Sequence, residues 1–273
     1  MAAAVAPVGA LLREWRQRRR LSQLDLACEA EISTRHLSFL ETGRSTPSPE
    51  MLLRLADHLD VPLRERNTLL IAAGYAPLYS EKPLSDPALD AARHAIGLML
   101  EAQKPYPAFA IEKYWTIVET NGAIPEAYAG VAPFLLEPPL NALRLTLHPQ
   151  GLAPRVANLA EWRAHLLSRL DKQIQASSDA ALVVLRRELS SYPDRGSAPL
   201  RTAELGCEVA VPFRIHTNLG LLSFFSMSTV FGTQLDVTVS EVALEFLVPA
   251  DPSIQPKQSS GPRHNNSHEH TSE

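Results

Sequence analysis

Cysteine is scarce in this sequence of 273 residues. The two that occur, Cys28 and Cys207, lie far apart and form neither a CxxC pair nor a Cys/His spacing. This pattern argues against a metal site or a redox motif, because both need closely spaced ligands. We expect both cysteines to be buried thiols.

Long hydrophobic runs are also missing, although 45% of the residues are hydrophobic. No stretch reaches the roughly 20 apolar residues that a membrane-spanning helix needs. The opening segment, MAAAVAPVGALL, has no early positive charge and leads directly into an arginine-rich helix, which argues against a secretory signal. We therefore expect a cytoplasmic protein without a membrane partner and with room for two domains.

Signatures of common enzymes are absent as well. The sequence has no GxSxG, no HExxH and no glycine-rich phosphate loop, and its 12 glycines are scattered. His264, His268 and His270 lie in a polar terminal tail with the composition of disorder, where we expect at most weak adventitious metal binding. A carboxylate pair for acid–base chemistry has no signature in a single sequence, so an enzyme of that kind stays open as an alternative. We expect no enzyme, no cofactor and no metal site.

What the sequence does contain is a helix-turn-helix pattern over residues 21–44, LSQLDLACEAEISTRHLSFLETGR. Ser22 suits the N-cap of the first helix of the pair. Leu24, Leu26 and Ala27 then turn inward at helical spacing. Two short helices that cross at an angle present the second one outward, where it can enter the major groove of DNA.

The second helix of this pattern carries the predicted reading surface. Ser33 suits its N-cap, while Leu37 and Leu40 fall on one buried face. The side chains that point elsewhere are those of Thr34, Arg35, His36 and Ser38. Gly43 supplies the left-handed residue that often ends a helix, and Arg44 follows beside the backbone of a bound duplex.

Residues 9–73 resemble a lambda-repressor-like domain of the xenobiotic-response-element type. The resemblance is carried by Gln23, by STRHLSFLETGR, and by Pro47 and Pro49 before a fourth helix. It implies an all-α domain of five helices that binds DNA. The sequence departs from the family at Glu31, because this turn usually has glycine there. We expect a positive φ at Glu31 and a strain of about 1 kcal/mol.

The resemblance also implies roles for individual residues. Gln23 is expected to contact a phosphate or an adenine edge, and Thr34 and Arg35 to read bases, with arginine to guanine as the strongest contact. The full set of expected DNA-binding residues is Arg18, Gln23, Ser33, Thr34, Arg35, His36, Ser38, Thr42 and Arg44.

Alternatives stay open for several of these residues. Arginines crowd the first helix, where we expect Arg18 to contact phosphate, but a solvated face explains such a cluster too. Phe39 either touches a thymine methyl group or is buried, and His36 either contacts phosphate or has no role. The whole domain is alternatively a helical scaffold for protein partners without DNA binding, because fold alone does not define function.

The second half of the chain mixes strands and helices. β-Branched and aromatic residues over 109–121 flank Glu112 and Lys113, a polar pair that suits a hairpin turn. Periodicity predicts helices over 122–129, 140–148, 155–177 and 179–192, and alternation predicts strands over 208–215, 221–231 and 242–248. This order of strands and helices matches an α+β sensor of the PAS kind.

A second resemblance rests on PYPAFAIEKYWTIVETN at 105–121 and LGLLSFFSMSTVFGTQLDVTVSEVALEFLVPAD at 219–251. Both are similar to the ligand-binding half of MmyB-like bacterial transcription regulators. The resemblance implies a PAS-like domain that holds a small apolar ligand, with a fatty acid as one candidate, between sheet and helices.

Apolar side chains on the predicted strands would then line a ligand cavity. They are Trp115, Ile117, Phe213, Phe224, Phe225 and Met227. An ordinary hydrophobic core would use the same residue types, and it stays the alternative for each of them.

These patterns predict a division of the chain into four parts. They are a helix-turn-helix DNA-binding domain (1–78), a linker and connecting helix (79–104), a PAS-like ligand-binding domain (105–252) and a disordered tail (253–273). We expect a ligand-responsive transcription regulator, associated with the nucleoid, that binds a partly palindromic operator of double-stranded DNA. A homodimer is expected because one helix-turn-helix covers only a half-site.

Overall fold

The structure is a computed structural model, and it describes residues 6–123, 128–177, 179–193, 211–218, 220–231 and 236–251. The helices are α1 (Val8–Arg18), α2 (Gln23–Glu29), α3 (Thr34–Glu41), α4 (Pro49–His58), α5 (Leu63–Ala72), α6 (Asp90–Ala102), α7 (Ala142–Leu147), α8 (Leu159–Ser177), α9 (Ala180–Ser191) and α10 (Val237–Ser240). The strands are β1 (Ala108–Ile111), β2 (Ile117–Thr120), β3 (Pro212–Thr217), β4 (Gly220–Val230) and β5 (Ala243–Pro249).

Helices α1 to α5 form an all-α unit around a leucine-rich core, as predicted. Leu26, Leu37 and Leu40 are fully buried in that core. The predicted N-caps are confirmed, since the hydroxyl of Ser22 accepts the backbone N–H of Asp25 and the hydroxyl of Ser33 accepts that of His36. Each cap satisfies a backbone donor that the first helical turn leaves unpaired.

The turn between α2 and α3 has the strained conformation expected from its sequence. Glu31 adopts a φ of 54°, in the left-handed region that glycine occupies without a steric penalty. Gly43, just beyond α3, has a φ of 71° and ends the helix as predicted.

Two predictions for α2 are wrong. Leu24 is 66% exposed, and Cys28 is exposed as well. Both residues fall on the same helical stripe, four positions apart, while Leu26 and Ala27 occupy the buried stripe. Cys207 lies outside the described residues, as do His264, His268, His270 and the rest of the tail of 253–273.

The C-terminal unit contains a five-stranded antiparallel sheet in the order β2-β1-β5-β4-β3. Helices α7, α8 and α9 contribute to the large core that covers one face, and α6 packs on the other face. The predicted α+β unit is therefore confirmed. The predicted hairpin is present as β1 and β2. Residues 124–127 of the helix predicted over 122–129, and 208–210 of the strand predicted from 208, lie outside the described residues.

Helix α6 belongs to the C-terminal unit and is not merely a connector. Its buried Ile96 and Leu100 share a small core with Ala108 and Ala110 of β1 and Leu244 of β5. The predicted boundary at residue 105 thus leaves out a helix that completes the outer face of the sheet.

The segment after α5 is tied to both units. The side-chain oxygen of Asn67 on α5 accepts the backbone N–H groups of Leu78 and Tyr79, each at 3.0 Å. Next in the chain, the carbonyl of Ser80 accepts the backbone N–H of Val237, at the start of α10, at 2.7 Å. These bonds dock the segment against the helical unit on one side and against α10 on the other.

Candidate DNA-reading face and ligand cavity

The predicted reading residues gather at the start of α3. Ser33 and Arg35 are exposed, and Thr34, His36 and Ser38 are half-buried. The Ser33 hydroxyl oxygen is occupied by the cap bond, but its O–H remains able to donate to a phosphate. At the other end of the helix, the Thr42 hydroxyl donates to the Ser38 carbonyl at 2.7 Å.

Phe39 is neither a buried core residue nor a free reader. Its half-buried ring lies beneath two guanidinium groups, those of Arg35 at 5.3 Å and Arg44 at 5.8 Å from the ring centroid. Cation–π contacts of this kind restrict long side chains that would otherwise lose much entropy on binding. The ring therefore holds two predicted DNA-contacting arginines side by side.

A buried ion pair supports the reading helix from behind. Arg16 of α1 donates to both carboxylate oxygens of Glu41, at 2.6 Å and 2.8 Å, and Gln23 donates to the same carboxylate at 2.9 Å. Burial raises the pKa of Glu41, but the hydrogen bonds from Arg16 and Gln23 outweigh burial and hold that pKa below its usual value. Gln23 is thus oriented at the start of α2 by a charge on α3.

Sequence reasoning missed this ion pair. Arg16 was one of a run of arginines that suggested an exposed cationic surface, yet only 10% of its side chain is exposed. Its partner lies 25 residues away, so no local spacing signals the contact.

Arg18 is not brought to the reading face. Two residues along α1 correspond to a rotation of about 200° around the helix axis, so Arg18 lies on a different side of the helix from Arg16. Its guanidinium pairs with Glu14 at 2.5 Å and lies 4.7 Å from the centroid of the Trp15 ring. Since Arg16 points at the end of α3, Arg18 points away from it. The predicted set therefore divides into residues of α2, α3 and the following turn, which lie together, and Arg18, which does not.

A cavity of about 410 Å³ lies between the sheet and helices α7 and α8. Four predicted residues border it, namely Trp115, Ile117, Phe213 and Phe224. Phe225 and Met227 do not, and Met227 is 58% exposed. Because Phe224 and Ser226 face the cavity, strand alternation turns their neighbours Phe225 and Met227 to the other face of the sheet, and the prediction for these two is wrong.

Polar groups in this apolar cavity were not predicted. Arg169 of α8 donates to both carboxylate oxygens of Glu245 on β5, at 2.5 Å and 3.2 Å, and Ser226 donates to the same carboxylate at 2.9 Å. The Arg169 guanidinium also lies 4.9 Å from the Trp115 ring centroid. Arg169 and Glu245 are 76 residues apart in the chain, and neither the helix pattern nor the strand pattern links them.

Trp162 is a second unpredicted feature of the cavity wall. Its side chain packs against His165 and Phe213, and the residue is only 4% exposed. Its indole N–H has no hydrogen-bond acceptor among the described residues. The indole of Trp115, also on the wall, donates to Gln173 at 2.9 Å.

Nowhere in the described ranges do three histidine, cysteine, aspartate or glutamate side chains come together so that they could hold a metal ion. None of the described helices is both long enough and apolar enough to cross a bilayer.

The helical unit, its reading face and the cavity-containing α+β unit define a class of protein, a helix-turn-helix transcription regulator with a ligand-binding domain. The chain belongs to the family of MmyB-like transcription regulators, whose ligand-binding domain model matches residues 92–256. A helix-turn-helix domain model matches residues 7–69. Neither of these models describes an enzyme.

Two known proteins are similar to a part of this chain. The uncharacterized HTH-type transcriptional regulator RghRB of Bacillus subtilis (strain 168) is 37% identical over 79 residues, which cover 29% of this chain and 55% of that protein. The chain thus spans about half the length of this curated relative. The clp gene regulator ClgR from Corynebacterium glutamicum, a crystal structure, has 28% identity over 36% of this chain and 90% of that chain, with a TM-score of 0.22.

Proposed function

We propose that the regulator reads an operator through the start of α3. Arg35 and Thr34 contact base edges, while Ser33, His36, Ser38, Thr42 and Arg44 contact the phosphate backbone or sit beside it. The observation that carries this proposal is the pair of exposed guanidinium groups held over the Phe39 ring. A bidentate arginine on guanine is the strongest single base contact that such a helix can make.

The DNA-binding experiment starts from the whole chain. Genomic fragments retained by the purified protein are sequenced, and the enriched site is footprinted with the wild-type protein. A protected site of one or two half-sites supports the proposal. Failure to enrich any fragment at moderate salt would instead favour the scaffold for protein partners.

The ligand proposed for the second unit is a small apolar molecule held in the cavity beneath the sheet, with a fatty acid as the candidate from the family resemblance. The cavity wall is largely apolar and carries few polar groups, as in many small-molecule sites. The strand order β2-β1-β5-β4-β3 supports a PAS-like domain. Native mass spectrometry of freshly purified protein tests this, because a copurified lipid mass identifies the class directly.

Regulation follows from a shift between two arrangements of the units. A ligand changes DNA affinity only if it binds one arrangement more tightly than the other. Strand β5 contributes Glu245 and Leu247 to the cavity wall, and α10 immediately precedes it. Glu241, just after α10, contacts Arg64 of the helical unit, so a change at the cavity has a short path to α5.

We also propose a homodimer on a partly palindromic operator, located on the nucleoid in the cytoplasm. One reading helix covers only a half-site, and two helices about one DNA turn apart cover a full site. Sedimentation of the purified chain with and without operator DNA tests the dimer. A monomer under both conditions at micromolar concentration contradicts it.

A further inference from the structure

The Trp162 indole N–H stands out among the polar groups of the cavity wall. It is a donor only, it is buried, and it has no acceptor among the described residues. Leaving such a group unpaired costs about as much free energy as a good hydrogen bond contributes, so native proteins almost always provide a partner. Because Trp162 borders the cavity, a ligand there can supply the missing acceptor.

Trp162 shares one face of α8 with two other residues of the cavity wall. Trp162, Leu166 and Arg169 are spaced i, i+4 and i+7, which puts all three on one helical face, and all three border the cavity. Two turns separate Trp162 from Arg169, roughly 10 Å along the helix axis. The Trp162 side chain and the ion pair therefore lie at separate points along one largely apolar wall.

The charged residues of the cavity wall limit which acceptor group a ligand can carry. Arg169 is the one cation among the described wall residues, and its guanidinium is already paired with Glu245, the one anion. A carboxylate head group would enter a largely apolar space without an unpaired cation and with Glu245 nearby. Burying a charge under these conditions costs far more than burying a neutral dipole.

We propose that the cavity binds an apolar molecule with an uncharged carbonyl oxygen, and that the indole N–H of Trp162 donates a hydrogen bond to that oxygen. Esters, ketones, amides and un-ionised fatty acids share this chemistry. The inference rests on the proposed ligand-binding function of the same cavity and specifies the chemical group that is recognised.

Two probes of matched shape test the hydrogen bond. 2-Decanone has the carbonyl, and 2-methyl-1-decene replaces its oxygen with a CH₂ group. Their affinities are measured on the whole chain by displacement of the apolar dye N-phenyl-1-naphthylamine. We expect the ketone to be preferred about tenfold in the wild type, as for one neutral hydrogen bond to a buried donor, and the preference to vanish in Trp162→Phe.

The chain offers a matched control in Trp115→Phe. Trp115 also lines the cavity, but its indole already donates to Gln173, so removing it should weaken both probes and keep the ketone preference. An equal preference in the wild type and in Trp162→Phe overturns the proposal. Failure of both probes to displace the dye from the wild type overturns it as well.

An NMR measurement on the wild-type protein does not depend on the folding of a variant. The chain has three tryptophans and therefore three indole N–H signals, of which Trp162→Phe assigns one. Saturation with 2-decanone should move the Trp162 signal downfield, and 2-methyl-1-decene should not. A signal that responds equally to both probes contradicts the hydrogen bond.

Decanoic acid tests whether the head group must be uncharged. If only the un-ionised acid binds, its apparent affinity falls about tenfold for each pH unit between pH 6 and 8, while the ketone affinity stays constant. An acid affinity that does not change over this range shows that the anion binds and overturns the proposal of an uncharged head. If the Trp162 signal responds to 2-decanone but DNA affinity does not, the sensor function fails and this inference stands.

Discussion

Arg64 and Glu241 form a two-pronged ion pair between the DNA-binding unit and the ligand-binding unit. The two hydrogen bonds are 2.8 Å and 2.9 Å long, and the residues are 177 positions apart in the chain. Glu81, in the segment between the units, also accepts a hydrogen bond from Arg64. The pKa of Arg64 is raised above its ordinary value, chiefly by its hydrogen bond to Glu241. One guanidinium of the helical unit thus pairs with two carboxylates, Glu81 of the segment and Glu241 just after α10.

The first prediction concerns coupling through this pair. Glu241→Gln removes the charge that Arg64 meets on the ligand-binding unit, so the change in operator affinity caused by saturating decanoic acid should shrink at least severalfold. Ligand affinity itself should stay within about twofold, since Glu241 does not border the cavity. Fluorescence anisotropy with labelled operator, with and without the acid, measures the change in operator affinity. Displacement of the apolar dye measures the ligand affinity.

Glu81→Gln is the matched control for this coupling. It removes the other carboxylate that pairs with Arg64 and leaves Glu241 in place, so the ligand effect should persist. If Glu241→Gln keeps the full ligand effect, the pair is a structural contact and coupling runs elsewhere.

The second prediction concerns Arg35 at the reading face. Arg35→Ala should weaken binding to the cognate operator by about 1–3 kcal/mol and relax the preference at one base position. Arg44→Ala removes the neighbouring guanidinium, expected at the phosphate backbone, and should weaken all sequences alike while reducing the salt dependence. Binding measured on a panel of single-base operator variants at two salt concentrations separates the two effects. A uniform loss for Arg35→Ala would contradict base reading.

Short-range patterns explain why the helical unit was predictable. Caps at Ser22 and Ser33, and Gly43 after α3, act over three or four residues, so the sequence order contains the information. The departure at Glu31 was predictable for the same reason, because a turn of fixed length requires a positive φ at one position.

The cavity was less predictable because the sequence pattern there does not indicate which side chains face inward. Residues 221–231 mix apolar residues with serine and threonine and do not alternate regularly, so the pattern does not reveal which face of β4 is inside, and Met227 was placed on the wrong face. The ion pair of Arg169 and Glu245 joins a helix to a strand, and only the tertiary fold brings them together. Distant polar contacts of this kind have no signature in a single sequence.

The third prediction tests the strain at Glu31. Glu31→Gly should stabilise the chain by roughly 1 kcal/mol, because glycine adopts the observed φ of 54° without the clash of a Cβ atom. The same substitution at Glu29, in the last turn of α2, should destabilise by about 0.5–1 kcal/mol. Thermal or urea unfolding compares the two variants. A destabilised Glu31→Gly would show that contacts of the glutamate side chain outweigh the strain.

The fourth prediction concerns the buried pair of Arg16 and Glu41. Glu41→Gln leaves the Arg16 guanidinium buried without its counter-charge and should destabilise the helical unit by about 3 kcal/mol. Because the pKa of Glu41 is lowered on folding, its contribution is present above the unfolded value of about 4.3 and is lost as the pH falls through the folded value. The variant should therefore lose less stability than the wild type in acid, below about pH 4.3.

Glu14→Gln, which breaks the exposed pair with Arg18, should cost less than about 1 kcal/mol and keep the wild-type acid profile. Urea unfolding from pH 3 to 7 measures all three proteins, and parallel acid profiles for the wild type and Glu41→Gln would contradict the assignment.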